Sequence, residues 1–169
     1  AGNDRVMAGT TINCNRAQQA KDTGAAQAPI AVVIGCIDSR AAPEQVFDTR
    51  VGDIFSARAA GTLINTDIIG SVEFATKVAG AKAIVVLGHS SCGAIKGAID
   101  KVELGNITAL LKNFAPAIAA AGAVSGPHDS HNDALVQKVA DANVRLVAED
   151  LLKRSAIIKE MVDAKQIRI

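Results

Sequence analysis

Three short apolar runs set the frame of this chain. Ile30-Ala31-Val32-Val33-Ile34 rises out of polar surroundings and stops at Gly35. Short, continuous and β-branched, it has the pattern of a strand buried on both faces of a sheet. Ala83-Ile84-Val85-Val86-Leu87, ending at Gly88, repeats that pattern, and Asp53-Ile54-Phe55-Ser56-Ala57-Arg58 reads as a weaker third strand. The periodicity between and after these runs is helical. Pro43 opens a short helix through Phe47, because proline suits the first helical turn. Thr66 to Ala79 carries Ile68, Val72, Ala75 and Ala79 on one face and Ile69, Phe74 and Val78 on the other. A helix apolar nearly all round is covered on more than one side, which points to a subunit interface. Further helices are expected over 92–102, from a cap at Asn106 until Pro116 kinks or stops it, and over 155–164. A long amphipathic helix before the last of these has Val136, Ala140, Val144, Val147 and Leu151 on its buried stripe. Ile167-Ile169 looks like the start of one more strand.

Strands alternating with helices predict an α/β fold, a mostly parallel central sheet flanked by helices in a Rossmann-like three-layer arrangement. Residues 1–29 are polar and irregular and read as an N-terminal arm with one helical piece at 16–22. Residues 30–169 read as a single α/β domain, in line with a total length of 169 residues.

Composition narrows the function classes. Hydrophobic residues make up 49% of the chain, yet it has four Phe and no Trp or Tyr, so the core must be aliphatic. A formal net charge of +1 supplies no field for nucleic acid or an anionic membrane. No apolar run reaches the roughly 20 residues that span a bilayer. The three cysteines, Cys14, Cys36 and Cys92, are an odd number, which argues against a disulfide framework and favours a reducing compartment. A cytoplasmic location is the expectation. The chain begins at Ala1 without an initiator methionine, which leaves an exported or organellar form open.

The candidate chemistry lies where the two buried runs end. Gly35-Cys36-Ile37-Asp38-Ser39-Arg40 follows the run at 30–34 and Gly88-His89-Ser90-Ser91-Cys92-Gly93 follows the run at 83–87. In parallel sheets, sites form beyond the carboxyl ends of the strands. Two Cys and one His make a three-ligand zinc set that leaves a fourth tetrahedral position for water or substrate. Cys92 falls near a helix N-terminus, where the dipole favours a thiolate. Two thiolates cancel the charge of a zinc ion, so its bound water should ionise above the value of about 7 seen with neutral ligands. Asp38 can orient a bound hydroxide, or it can take the open position itself; Arg40 can pair with it, hold it off the metal and keep it ionised. Singly these features are ordinary, because a buried Cys at a strand end is usually structural and Asp-x-Arg is usually a surface pair. Their joint appearance at two matching strand ends is not.

The chain here resembles a known family. Cys36-Ile37-Asp38-Ser39-Arg40, about fifty residues before His89-Ser90-Ser91-Cys92-Gly93, is similar to the motif pair of the β-class carbonic anhydrases, with Ile37 where that family usually has Ser. The similarity runs from Gly2-Asn3 to the final helices and includes Ala59-Ala60-Gly61 and Gly70-Ser71-Val72-Glu73-Phe74-Ala75. The resemblance implies zinc-dependent reversible hydration of carbon dioxide to bicarbonate by attack of zinc-bound hydroxide. One Zn2+ per subunit would be held by Cys36, His89 and Cys92, with Asp38 and Arg40 as the catalytic dyad. It further implies substrate contacts from Gln27, Phe55, Phe74 and the Gly93 N–H, as in the plant-like branch, although Phe74 stands where that branch usually has Tyr. Gln27, Phe55 and Phe74 would come from a partner subunit, so a homodimer or tetramer is expected. The family pattern usually has a longer N-terminal arm and a further edge strand, and a shortened edge should weaken higher assembly. A second branch regulates itself through a bicarbonate pocket containing Trp, which this chain lacks.

Other readings remain beside this one. Carbonyl sulfide or carbon disulfide hydrolysis uses the same fold and ligands. A non-catalytic zinc scaffold or sensor would have Asp38 as a permanent fourth ligand. His128-x-x-His131 reads as a solvated loop capped by Ser130 and Asp133 in preference to a second metal site or proton shuttle. Cys14 reads as a plain small residue. No Gly-x-x-x-x-Gly-Lys or post-strand Gly-x-Gly-x-x-Gly is present, so the doubly wound look does not imply a nucleotide. The Cys36–Arg40 spacing is too short for a cysteine phosphatase.

Overall fold

The backbone hydrogen bonds of three strands define a parallel sheet. The computed structural model of the chain describes residues 2–169. Strand β1 (Ala31–Gly35) lies in the centre, between β2 (Ile54–Arg58) and β3 (Ala83–Leu87). Ala31 is in register with Ile54 on one side and Ala83 on the other, so all three strands end level, at Gly35, Arg58 and Leu87. Every residue of β1 is buried, which is why its sequence is continuously apolar rather than alternating. Ile30 falls outside the strand and is exposed. The expected fourth run begins as a single parallel bridge between Ala83 and Arg168, at the β3 edge.

Helices flank the sheet. Helix α4 (Thr66–Glu73) continues as a π-helical turn over Phe74–Val78 and packs Ile69, Val72 and Ala75 against Val32, Ile34 and Ile84. The longest helix, α8 (Asp133–Arg154), spans both halves of the core. Its Val147 and Leu151 join the sheet cluster. Its Leu135, Val136, Val139 and Ala140 instead meet Ile95 of α5 (Gly93–Ile99), Phe114, and the two cysteines Cys36 and Cys92. Of the expected stripe, Val144 is only half-buried, lying against Gly88. Helix α9 (Ala156–Asp163) closes the sheet side through Ile158 and Met161.

Four local expectations are corrected. The arm has two helices, α1 (Gly2–Met7) as well as α2 (Arg16–Asp22). Helix α1 buries nothing, so no apolar period marks it. It docks on the segment after α3 (Pro43–Val46) through polar bonds: Arg5 Nε lies 2.6 Å from Asp48 Oδ2, and Asn3 donates to the Val46 carbonyl. Helix α6 (Gly105–Leu111) starts after Leu104, not at Asn106, and the Thr108 hydroxyl accepts from the Leu104 N–H at 2.8 Å. Pro116 does not stop that helix; it sits in the first turn of α7 (Ala115–Ala120), after a 3₁₀ turn at Lys112–Phe114. The cap of α8 is Asn132, whose Oδ1 accepts from Leu135 N–H, in place of Ser130 or Asp133; the Ser130 amide donates to Asp100 instead.

Candidate metal centre

The level ends of β1 and β3 bring two turns side by side. Among the described residues, the one group of three or more His, Cys, Asp and Glu side chains able to share an ion is Cys36, His89 and Cys92, with ligand atoms all within 4.8 Å of one another. Ligands around a tetrahedral zinc, with bonds of about 2.0–2.3 Å, stand roughly 3.3–3.8 Å apart, so only a small closure of the three is needed. No disulfide links Cys36 and Cys92, and both are buried.

The imidazole tests the fit. His89 Nδ1 lies 2.9 Å from the Ser90 carbonyl oxygen. A carbonyl only accepts, so Nδ1 carries the proton and Nε2 presents a lone pair. That Nε2 is buried and has no hydrogen-bond partner. An orphaned buried polar atom costs about 1–3 kcal/mol, and a cation between Nε2 and the two sulfurs would remove that cost. A backbone carbonyl fixing the tautomer of a ligating histidine is the usual supporting arrangement of metal sites.

Each sulfur is held differently. Cys36 Sγ accepts the amides of Asp38 at 3.4 Å and Gly61 at 3.2 Å. Cys92 is the residue before the first turn of α5. Burial pushes its thiol up; the Ile95 and Ala94 amides pull it down and the Cys36 sulfur beside it adds to the rise. The helix terminus therefore acts in the expected direction but burial outweighs it. A nearby cation would offset the cost of ionising the buried Cys92 thiol.

Asp38 and Arg40 form a closed pair next to the donors. Arg40 Nε reaches Asp38 Oδ1 at 2.9 Å, Arg40 Nη2 reaches Oδ2 at 2.7 Å, and the Arg40 amide also donates to Oδ1. These bonds hold the Asp38 carboxyl far below the usual carboxylate range and raise the already basic Arg40 further. Asp38 Oδ2 stays 3.9 Å from His89 Nε2 and is not part of the donor group. An opening of about 250 Å³ beside this pair is lined by Arg40, Ala41, His89, Ser90 and Ser91. Gly93 follows Cys92 and is exposed.

Three expected site residues lie elsewhere on this chain. Phe55 and Phe74 meet edge to face, with ring centroids 6.4 Å apart. They line a cleft of about 750 Å³ between β2 and α4 that includes none of the three donors. Phe74 is 55% exposed. Gln27 is exposed, beside Gly52. His131 sits 3.4 Å from Asp129 in its exposed loop, and Cys14 is exposed in the arm.

Two supporting residues escape sequence reasoning. Arg58, at the end of β2, donates to the Cys36 carbonyl from Nε and to the Asp38 carbonyl from Nη2, each at 2.7 Å. Asn143 donates from Nδ2 to the carbonyls of Gly61 and Thr62. A charge closing a strand and a lone amide on the buried stripe of α8 are the signals that mark them in the sequence.

Fold and site together define a parallel α/β protein with a Cys-His-Cys candidate metal centre at the ends of two strands. The carbonic anhydrase family model matches residues 31–169, and the chain belongs to that family, in its β class. Carbonic anhydrase 2 of Mycobacterium tuberculosis is 40% identical over 107 residues, covering 63% of this chain and 52% of that protein. Beta carbonic anhydrase 5, chloroplastic, of Arabidopsis thaliana is 31% identical over 100 residues, 56% of this chain and 33% of the relative. The chain spans about half the length, or less, of such relatives. The fold also matches the Coccomyxa β-carbonic anhydrase solved with acetazolamide, with a TM-score of 0.75 at 24% identity over 89% of this chain and 68% of that one. A tetrameric β-carbonic anhydrase of Sordaria macrospora gives a TM-score of 0.73 at 24% identity, covering 87% and 79%.

Proposed function

We propose that this chain catalyses the reversible hydration of carbon dioxide to bicarbonate and a proton, with one zinc ion held by Cys36, His89 and Cys92. The observation that carries the reading is the unpartnered, buried His89 Nε2 facing two buried cysteines from two strand ends. When bound there, zinc acidifies a water and so supplies a nucleophile near neutral pH. The residues of the chain do the rest. The ionised Asp38 accepts a hydrogen bond from the attacking water and orients it. Arg40, bound to both carboxylate oxygens, keeps Asp38 charged and out of the fourth position. The Gly93 N–H faces the substrate oxygen. The proton leaves through the opening beside Arg40 and Ser90 to buffer.

A second copy of the chain completes the pocket in this reading, as in the plant-like branch, by supplying Gln27, Phe55 and Phe74. Exposed Phe74 and Val78 on the α4 side favour such a homodimer, and the Sordaria relative is described as tetrameric. No helix among the described residues is long and apolar enough to cross a membrane, and a cytoplasmic location remains part of the proposal. The position of Asp38, tied to Arg40 and outside the donor group, speaks against the closed scaffold.

Stopped-flow hydration of carbon dioxide across pH, on purified protein of known zinc content, tests the proposal. Hydration that rises with pH and vanishes in Cys36→Ser is expected. Full activity without zinc, or turnover of carbonyl sulfide or carbon disulfide with none of carbon dioxide, overturns it.

A further inference from the structure

The turn that presents Gly61 to the metal centre is strained, and a distant side chain helps to hold it. Gly61 has φ +76° and Thr62 has φ +60°. The left-handed region suits glycine but is an outlier for a β-branched residue. Such strain persists only where the surroundings over-determine it. Here they do. Asn143, only 5% exposed on α8, donates to the Gly61 carbonyl at 3.0 Å and to the Thr62 carbonyl at 2.9 Å. The Thr62 hydroxyl donates to the Leu87 carbonyl at the end of β3. The product of these three bonds is the direction of one amide: Gly61 N–H points at Cys36 Sγ, 3.2 Å away.

We propose that Asn143 is a positioning residue for the Cys36 thiolate, acting through the Gly61–Thr62 turn to keep an amide donor on the sulfur. This rests on the reading of Cys36 as a metal ligand. An amide on a thiolate draws electron density off the sulfur, so the sulfur gives less charge to its metal. Two thiolates neutralise a divalent ion, and returning part of that charge keeps the ion electrophilic. Cys36 has two such amides, from Asp38 and Gly61. The first belongs to the sulfur's own turn. The second arrives from 25 residues away and needs Asn143 to hold it. Asn143 touches none of the donors in this account. Its effect on the metal passes wholly through the backbone of the turn.

The test replaces zinc with Co(II) and reads the thiolate-to-cobalt charge-transfer band, together with zinc affinity by chelator competition. Asn143→Leu keeps the size of the side chain and removes both donors. It is expected to move the band to longer wavelength, because the sulfur regains charge, and, because the turn no longer holds that sulfur in place, to weaken zinc binding about tenfold, the low end for the loss of an outer-shell partner. Asn143→Ser, a milder change that keeps the test open if the leucine variant does not fold, should move both quantities less and in the same direction. Ile158→Val, a packing loss in the sheet cluster, should lower stability and leave band and affinity at wild-type values. Wild-type band and affinity in both Asn143 variants overturn the proposal. A wild-type protein that takes up Co(II) without thiolate charge-transfer intensity overturns the metal reading itself, and this inference with it.

Discussion

The two turns that meet at the candidate metal centre are built on different principles. The β1 turn is held by polar bonds, those from Arg58 and Gly61 reaching it from more distant parts of the chain. Arg58 grips two of its carbonyls, Gly61 and Asp38 amides lie on its sulfur, and Arg40 closes its carboxylate. The β3 turn is held locally and by packing. His89 is fixed by the carbonyl of its neighbour Ser90, and Cys92 is buried at the start of α5 among Ile95 and the residues of α8. One turn carries the adjustable chemistry and the other a rigid pair of ligands. Side-chain substitutions remote from the site should therefore act on the metal through the β1 turn and hardly at all through the β3 turn.

The largest expected effect breaks both turns. Cys36→Ser and Cys92→Ser should each abolish zinc retention, measured by metal analysis after dialysis. Their metal-free stabilities should differ. Serine is a favoured helix N-cap, and Cys92 occupies that position without a side-chain cap bond, so Cys92→Ser should melt close to wild type. Cys36→Ser disturbs the seat of two amides and should melt lower.

Gly61→Ala strikes the β1 side alone. It forces alanine to φ +76° and drives a methyl into the buried Phe114 ring. A loss of about 2–4 kcal/mol is expected from overpacking and backbone strain together, read by chemical denaturation. Arg58→Met, which keeps most of the stem and frees the two carbonyls, should weaken zinc about 10–100-fold, as outer-shell losses do. Ser90→Ala is its counterpart on the β3 side. Because His89 uses the Ser90 backbone carbonyl, zinc affinity should not change.

The smallest effect concerns pH. The folded carboxyl of Asp38 is depressed by its bonds to Arg40, so its contribution is present above the unfolded value of about 3.9 and is lost only as pH falls through the lower folded value. Asp38 should stay ionised through the mildly acidic range. In Arg40→Gln its titration should move up toward the ordinary carboxylate range, as followed by NMR of the carboxyl carbon.

The contrast between the turns also explains what the sequence makes legible. Strands β1 and β3 read clearly because both are continuous apolar runs, although only β1 is buried throughout and β3 lies half-buried at the sheet edge. The donors read clearly because Cys36, His89 and Cys92 stand at fixed short offsets from those runs. Hydrophobic pattern reports burial, however, and is blind to polar bonds that span the chain. Helix α1 is invisible because it docks through Arg5 on Asp48, 43 residues away. Arg58 and Asn143 have roles set by carbonyls that only folding brings near, in the case of Asn143 82 residues away. The cap at Asn132 outcompetes Ser130 because its amide also ties back to Ser125 and Pro127. The state of Cys92 depends on burial outweighing a helix end, a balance no spacing encodes.

Zinc-edge X-ray absorption on the purified protein, with metal content measured on the same sample, addresses the centre most directly. One zinc per chain is expected, with two sulfurs at about 2.3 Å, one nitrogen at about 2.0 Å and a single further oxygen from solvent. Fewer than two sulfurs in that shell, or a chain that holds no zinc when zinc is supplied, would contradict the account.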